Sequence, residues 1–281
     1  MCAAGGLARS SFYDWRDGTT APPAETAGKK RGPRTKLSDE KLLEKIREDL
    51  ATSPFQGEGH RKVWARLERA GVRVGRKRVL RLMRANHLLS PHRTAPTSEP
   101  AHAGRIVTDE PNVMWGTDGM RVLTVEDGWG WTFVAVEHWN TECMGWHVCK
   151  IGDRFAALEP VKMGVRDVFG SVEADVARGL ELRHDHGSQY LSEHFGHEVR
   201  FLGITPSYAI VSEPETNGVA ERFVRTLREQ VFHGRIFRNL EEVRRAVRAF
   251  VMLYNEQWLV EKRGFLSPNE ARRRWNQEKA A

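Results

Sequence analysis

Residues 113–150, VMWGTDGMRVLTVEDGWGWTFVAVEHWNTECMGWHVCK, decide the fold of this chain. Three short runs in this stretch are rich in Val, Trp, Phe and Thr, residue types that favour β-strands. Gly128 and the pair Asn140–Thr141 separate the runs and are typical of turns. The stretch therefore predicts three consecutive antiparallel strands, with its five tryptophans in the core.

The sequence after this stretch alternates between helical and strand patterns. Helices are predicted over 153–170, 194–203, 217–233, 241–258 and 265–278, and strands over 179–185 and 204–209. This order of elements is typical of a ribonuclease H-like fold, an α/β (α+β) protein with a mixed five-stranded sheet and flanking helices.

The composition is that of a folded protein with one or two domains. The chain has 281 residues, of which 40% are hydrophobic and 29% are charged. No run of about 18 apolar residues is present, so no membrane span is expected, and residues 1–12 lack the features of a signal peptide. Three cysteines, Cys2, Cys143 and Cys149, give no disulfide framework. We therefore expect a cytoplasmic protein without a membrane partner.

Positive charge is concentrated near the N-terminus. Residues 1–105 hold 22 Lys and Arg against 11 Asp and Glu, whereas residues 106–281 hold 22 against 26. Clustered positive charge favours phosphate contacts, because binding releases counterions. A solvated basic surface would have the same composition, so charge alone leaves both interpretations open.

Residues 37–92 predict a small all-α domain of the helix-turn-helix type. Ser38 is placed to cap a first helix, and residues 60–71 and 72–88 predict two further helices around the connection GVRVG. The second helix of such a unit contacts DNA. The residues on it that we predict to bind DNA are Arg76, Lys77, Arg78, Arg81 and Arg84. The alternative is a small helical bundle with a soluble basic face.

The predicted domain limits follow from two linkers rich in Pro, Gly and Thr. In chain order the parts are an N-terminal segment with a basic linker (1–36), the helix-turn-helix-like domain (37–92), a Pro-rich linker (93–110), the catalytic core (111–235) and a C-terminal helical extension of the core (236–281).

Three acids in distinctive surroundings are the candidate catalytic and metal-binding residues. Asp118 lies on the first predicted strand, Asp185 just past the fourth, and Glu221 on a basic amphipathic helix. The two strands are neighbours in this fold, so the carboxylates should converge. Oxygen ligands suit Mg²⁺, and two such ions can activate an attacking oxygen and stabilise a leaving one at a phosphodiester. The alternative is that each acid is a surface residue.

Four blocks of the chain resemble those of the DDE transposases of bacterial insertion sequences, which share the retroviral integrase core. WGTD (115–118) and HDHGSQY (184–190) resemble the blocks of the first two acids. TNGVAERFVRTLREQ (216–230) resembles the block of the Glu, and YNEQWLVEKRGFLSPNEAR (254–272) resembles the C-terminal block. The resemblance is to the family typed by insertion sequence three, in its second reading frame, and it covers most of the chain.

The resemblance implies a cofactor and partners. It implies Mg²⁺, for which Mn²⁺ can substitute, and double-stranded DNA as both element end and target. It implies a homo-oligomer on DNA at the bacterial nucleoid, and an upstream reading-frame product as fusion or partner. Zinc is not expected, because no CxxC pair occurs, and no nucleotide is expected, because the chain has no P-loop.

Further DNA contacts are predicted around the three acids. Arg225 and Arg228 lie one and two turns beyond Glu221 and share its helix face. Gln189 lies in the loop that the resemblance places beside the metals, Asn217 opens the helix of Glu221, and Arg222 lines that helix. Helix solubility and ordinary capping are the alternatives for these residues.

The chain departs from the family pattern at two places, and two rival functions stay open. Thr216 stands where the family often has Asp, and residues 258–262 replace an Arg-x-His sequence. The main hypothesis is a transposase that cleaves DNA strands and transfers the freed 3′-hydroxyl end to a target. The rivals are a catalytically silent DNA-binding regulator and a ribonuclease H-type nuclease.

Overall fold

The computed structural model describes residues 37–90, 108–208 and 217–280. The helices are α1 (Asp39–Thr52), α2 (His60–Arg69), α3 (Arg76–Ala85), α4 (Arg154–Phe169), α5 (Glu193–Phe201), α6 (Gly218–Leu227), α7 (Leu240–Gln257) and α8 (Pro268–Ala280). The strands are β1 (Met114–Thr124), β2 (Gly128–Glu137), β3 (Cys143–Cys149), β4 (Glu181–His184) and β5 (Thr205–Tyr208). A π-helix (Arg228–Phe232) follows α6, and a 3₁₀-helix (Glu261–Arg263) precedes α8. Thr216, the segment 1–36 and most of the predicted linker 93–110 lie outside the described residues.

Helix α1 begins where its capping residue predicts. The chain divides into two units between Leu42 and Leu43, and residues 37–42 are the described part of the first. There the Ser38 hydroxyl accepts a hydrogen bond from the backbone N–H of Lys41 at 3.3 Å. This bond satisfies one of the amide groups that have no partner inside the first helical turn.

Helices α2 and α3 form the predicted pair in the helix-turn-helix region. Their buried side chains include Val63, Leu67, Val79, Leu82 and Met83. Gly71 ends the first helix with a φ of +79°, a backbone conformation that glycine adopts readily. The turn is fixed by the indole of Trp64, which donates to the carbonyl of Val74 at 2.7 Å.

The five strands form one mixed sheet in the order β3-β2-β1-β4-β5. Strands β1, β2 and β3 pair in antiparallel fashion, and β4 and β5 continue the sheet in parallel to β1. This arrangement confirms the predicted ribonuclease H-like sheet with its flanking helices. Its consequence for the site is that β1 and β4 are direct neighbours.

Two hydrophobic cores cover the two faces of the sheet. Helices α4 and α5 pack on the face that carries Trp115 and Phe133, whereas α6 and α7 pack on the face that carries Met120 and Val122. Gly145 on β3 allows α4 to come very close, since a Cβ there would stand 2.0 Å from the carbonyl oxygen of Pro160. The sheet is therefore held rigidly between two helical layers.

One of the tryptophans predicted to lie in the core is exposed. Trp115 and Trp139 are buried as expected, but Trp129 is 51% exposed. It pairs across the hairpin with Leu123, itself 58% exposed, and the guanidinium of Arg121 lies 4.6 Å from its ring. The prediction was wrong for Trp129 because strand composition does not indicate where the covering helices stop.

The helix-turn-helix region packs on the C-terminal part of the chain. The ring of Phe55 meets Trp258 edge-on at 4.9 Å, and Trp64 meets Phe265 at 5.7 Å. Around these rings, Arg61 pairs with Glu261 at 2.7 Å and Arg69 pairs with Glu270 at 2.9 Å. Within the described residues, no helix is long and apolar enough to cross a membrane.

Candidate active site

Neighbouring parallel strands bring Asp118 and Asp185 to the same part of the sheet. In the register of β1 and β4, Gly116 lies opposite Arg183. Asp118 and Asp185 each follow two residues later along the chain, and side chains two residues apart in a strand point to the same face. The predicted adjacency of the two strands is therefore confirmed.

Helix α6 carries Glu221 in its first turn and packs on β1. The approach is close, because a Cβ at Gly116 would stand 3.2 Å from the Cβ of Ala220. The side-chain amide of Asn217, at the start of α6, donates to the carbonyl oxygen of Thr117 at 3.2 Å. These contacts fix the helix of Glu221 to the strand of Asp118.

The electrostatics of the three acids reflect their proximity. The pKa of Asp118 is raised to about 7, mainly by burial and also by the charges of Asp185 and Glu221, whereas the Gly119 N–H and Arg228 oppose the rise. The pKa of Glu221 is raised mainly by burial and also by Asp185, and Arg225 opposes that shift. A divalent cation would relieve this repulsion.

The three carboxylates suit a divalent ion in kind, since Mg²⁺ prefers oxygen ligands. Across residues 37–90, 108–208 and 217–280, no group of three or more His, Cys, Asp or Glu side chains is arranged to hold one.

The loop after Asp185 is held by a hydrogen bond within it and by the buried ring of Tyr190. A carboxylate oxygen of Asp185 accepts from the Gly187 N–H at 2.9 Å. Tyr190 is 2% exposed and stacks on His184 with ring centroids 5.4 Å apart. The loop therefore holds its acid at a fixed place at the end of β4, while His184 has a pKa lowered by burial.

The predicted DNA contacts near the acids fall into two groups. Arg222, Arg225 and Arg228 are exposed along α6 and the start of the π-helix, and Gln189 is half-buried in the loop. Asn217 is only 1% exposed, and its side-chain amide donates to the backbone of β1. Its predicted contact with DNA stays a prediction and would require the side chain to be uncovered.

The predicted contacts in the helix-turn-helix region lie along α3. Lys77, Arg81 and Arg84 are exposed and follow one another at helical spacing, whereas Arg78 is half-buried. Arg76 lies 3.7 Å from Glu261 and over the ring of Trp64. Arg76 is therefore already engaged by the C-terminal region.

Sequence reasoning missed His138 beside this site. It lies 3% exposed at the end of β2, and its Nε2 would be 3.1 Å from a Cβ on Gly116. Burial lowers its pKa to about 4, with contributions from Lys262 and Arg183. The local pattern around His138 is that of a strand end, so only the glycine in WGTD hints that something stands close to β1.

The sheet order and the helical layers on both faces of the sheet place the chain in the ribonuclease H-like class of folds. Two domain families match parts of the sequence. Residues 37–96 match the HTH-like domain, and residues 202–259 match the integrase core domain. The second match includes Glu221, and the first includes all of α3.

The chain is similar to the transposase InsD for insertion element IS2A/D/F/H/I/K of Escherichia coli. The two are 33% identical over 178 residues, which cover 60% of this chain and 58% of that protein. The transposase InsD for insertion element IS2D of strain K12 gives the same values. The chain therefore spans less than two thirds of the length of these relatives.

Solved structures of integrases are also similar. A simian T-cell lymphotropic virus intasome, in complex with a PP2A regulatory subunit, is 15% identical with a TM-score of 0.46 and covers 70% of this chain and 66% of that one. The catalytic core domain of BIV integrase is 19% identical with a TM-score of 0.42 and covers 60% of this chain and 99% of that one.

Proposed function

We propose that this chain is a DNA transposase that performs metal-dependent strand cleavage and strand transfer at the ends of an insertion sequence. Water cleaves one strand at the element end, and the freed 3′-hydroxyl then attacks a second phosphodiester, so that one phosphodiester bond forms as another breaks. The observation that carries the proposal is the placement of Asp118 and Asp185 on neighbouring strands with Glu221 packed alongside. The similarity to transposases supports it.

Each part of the site has a role in this reaction. Asp118, Asp185 and Glu221 would hold Mg²⁺, and the ions when bound supply an activated attacking oxygen and a stabilised leaving oxygen. Arg225 and Arg228, exposed beside Glu221 and Asp118, would hold the phosphates that flank the reacting one. The exposed stripe Lys77, Arg81 and Arg84 on α3 would bind duplex DNA away from the reacting bond.

We propose more specifically that the chain is the product of the second reading frame of an element in the family typed by insertion sequence three. The four blocks quoted above support it. We propose that the chain acts as a homo-oligomer on DNA, since both element ends must meet at one target.

The test is strand joining with a labelled oligonucleotide that ends in a free 3′-hydroxyl, in Mg²⁺ and in Mn²⁺. Glu221→Gln keeps the shape of the side chain and removes its charge, so joining should fall below detection while DNA binding persists. Glu241→Gln, at an exposed acid that pairs with Arg244 on α7, is the matched control and should join normally. Joining by Glu221→Gln at the wild-type rate would refute the site.

A second candidate function is a DNA-binding regulator that does not cut. The exposed basic side chains Lys77, Arg81 and Arg84 on α3 favour it, because DNA binding by this helix needs no catalytic site. Footprinting of the element ends without cleavage in Mn²⁺, both with and without the upstream product, would support the regulator. Cleavage that appears when the upstream product is added would support the transposase.

A further inference from the structure

Asn217 holds an unusual position for a residue at the start of a helix. Asparagine there commonly accepts a hydrogen bond from the first turn of its own helix. Asn217 makes no such bond, and its Nδ2 donates instead to the carbonyl oxygen of Thr117 on β1, one hundred residues away in sequence. The bond joins the residue before Asp118 to the turn before Glu221.

The other side of the Asn217 amide faces His138. Both Asn217 Oδ1 and His138 Nε2 would lie 3.1 Å from a Cβ on Gly116, so they border the same small space above that glycine. Asn217 is 1% exposed and His138 is 3% exposed. Among the described residues, neither Asn217 Oδ1 nor either ring nitrogen of His138 has a hydrogen-bond partner.

The two groups are chemically complementary. The carboxamide oxygen accepts hydrogen bonds, and a neutral imidazole carries one N–H donor and one acceptor. The backbone fixes His138 on both sides, because its N–H donates to Met114 and its carbonyl accepts from the Lys262 ammonium. An unpartnered buried polar group is destabilising, so each of these two groups would be stabilised by a hydrogen bond to the other.

We propose that His138 and Asn217 are positioning residues that set the separation of Asp118 and Glu221. The two groups make no hydrogen bond in this structure. A turn of the His138 ring would bring its Nε2–H to Asn217 Oδ1, and that bond would hold the Asn217 amide on Thr117. The amide in turn fixes the position of α6 relative to β1. Neither side chain touches DNA or metal, and the inference rests on the proposed function for its catalytic consequence.

The first arm of the test needs neither metal nor activity. His138→Leu, Asn217→Ala and the double variant are unfolded with denaturant in EDTA. If the side chains depend on each other, the double variant is destabilised by less than the sum of the single changes. Strictly additive effects would overturn the pairing, whether or not the chain is a transposase.

The second arm separates positioning from packing. In strand joining, His138→Leu and Asn217→Ala should lower kcat about tenfold or more, with the Kd for DNA within about twofold of wild type. His138→Gln keeps an N–H donor near the Nε2 position and should recover most of the rate. A glutamine variant as impaired as the leucine variant, or a leucine variant with normal kcat, would overturn the proposal.

A third measurement applies if the protein shows no strand joining in the assay. The rise in melting temperature caused by Mg²⁺ or Mn²⁺ reports how well the acids share an ion. Asn217→Ala and His138→Leu should reduce this rise, and His138→Gln should restore it. An equal rise in all variants would overturn the positioning role, whereas absence of any rise in the wild type would count against the proposed function, with the denaturant cycle still deciding the pairing.

Discussion

At the scale of single residues, the buried imidazole of His138 beside β1 links stability to pH. His138 is enclosed at the end of β2 near Lys262 and Arg183, and burial together with these cations lowers its pKa to about 4. In the unfolded chain its pKa returns to 6.5. The unfolded state therefore binds a proton in a pH range where the folded state does not.

This difference predicts a specific pH dependence of stability. The contribution of a neutral His138 is fully present above pH 6.5 and is lost as the pH falls from 6.5 towards 4, by up to about 3 kcal/mol. His138→Gln should flatten the stability curve over this range, as measured by denaturant unfolding at pH 4.5, 5.5 and 7. A slope that His138→Gln does not alter would show that His138 is not titrated on unfolding.

At the scale of elements, the approach of α4 to the sheet depends on one glycine. A Cβ on Gly145 would stand 2.0 Å from the carbonyl oxygen of Pro160 and 2.8 Å from its carbonyl carbon, both backbone atoms of α4. Because backbone cannot rotate aside, Gly145→Ala should push the helix off the sheet and cost about 3 kcal/mol or more. Gly218→Ala is the control, since a Cβ there meets nothing within 4 Å and should be neutral or slightly stabilising. Melting temperatures of the two variants check the prediction, and equal values would contradict it.

The elements themselves could be predicted because their patterns are local. Strand β1 and helix α6 follow from runs of side chains with the period of each element, and the adjacency of Asp118 and Asp185 follows from the order of the strands. The π-helix Arg228–Phe232 has no such pattern. The side chain of Gln230 there bonds both the N–H and the carbonyl of Gln56, which lies 174 residues away in sequence. Local patterns could not predict the inward direction of Asn217 either, since its partner Thr117 lies 100 residues away in sequence.

At the scale of the whole molecule, Trp258 joins the helix-turn-helix region to the C-terminal helices. It packs on Phe55 at 4.9 Å and on Tyr254 at 5.4 Å, and the Lys62 ammonium lies over its ring. Trp258 belongs to the five residues where the chain departs from the family pattern, so the departure coincides with a contact surface. Local sequence patterns could not predict the contact between Phe55 and Trp258, because the two residues lie far apart in the sequence.

This contact predicts how the molecule unfolds. Trp258→Ala should separate a single thermal transition into two, because the helix-turn-helix region loses its main apolar contact with the core. Trp275→Ala is the matched control, since Trp275 packs on Trp139 at 5.6 Å and away from Phe55. The control should lower the melting temperature and keep one transition. Scanning calorimetry distinguishes the outcomes, and one sharp transition in Trp258→Ala would refute the coupling.

The uneven distribution of charge predicts the salt dependence of DNA binding. Residues 1–105 carry the excess of basic side chains, and Lys77 and Arg84 stand exposed on one face of α3. Each phosphate contact releases counterions and contributes about 0.9 to the slope of log Kd against log salt concentration. Lys77→Ala and Arg84→Ala should each weaken binding and lower that slope by about 1, equally for element-end and unrelated duplexes if the contact is to phosphate. Arg274→Ala, which removes a surface charge paired with Glu278 on α8, should change neither value. Fluorescence anisotropy over a salt series makes the measurement, and unchanged slopes in both α3 variants would mean that DNA contacts a different surface of the chain.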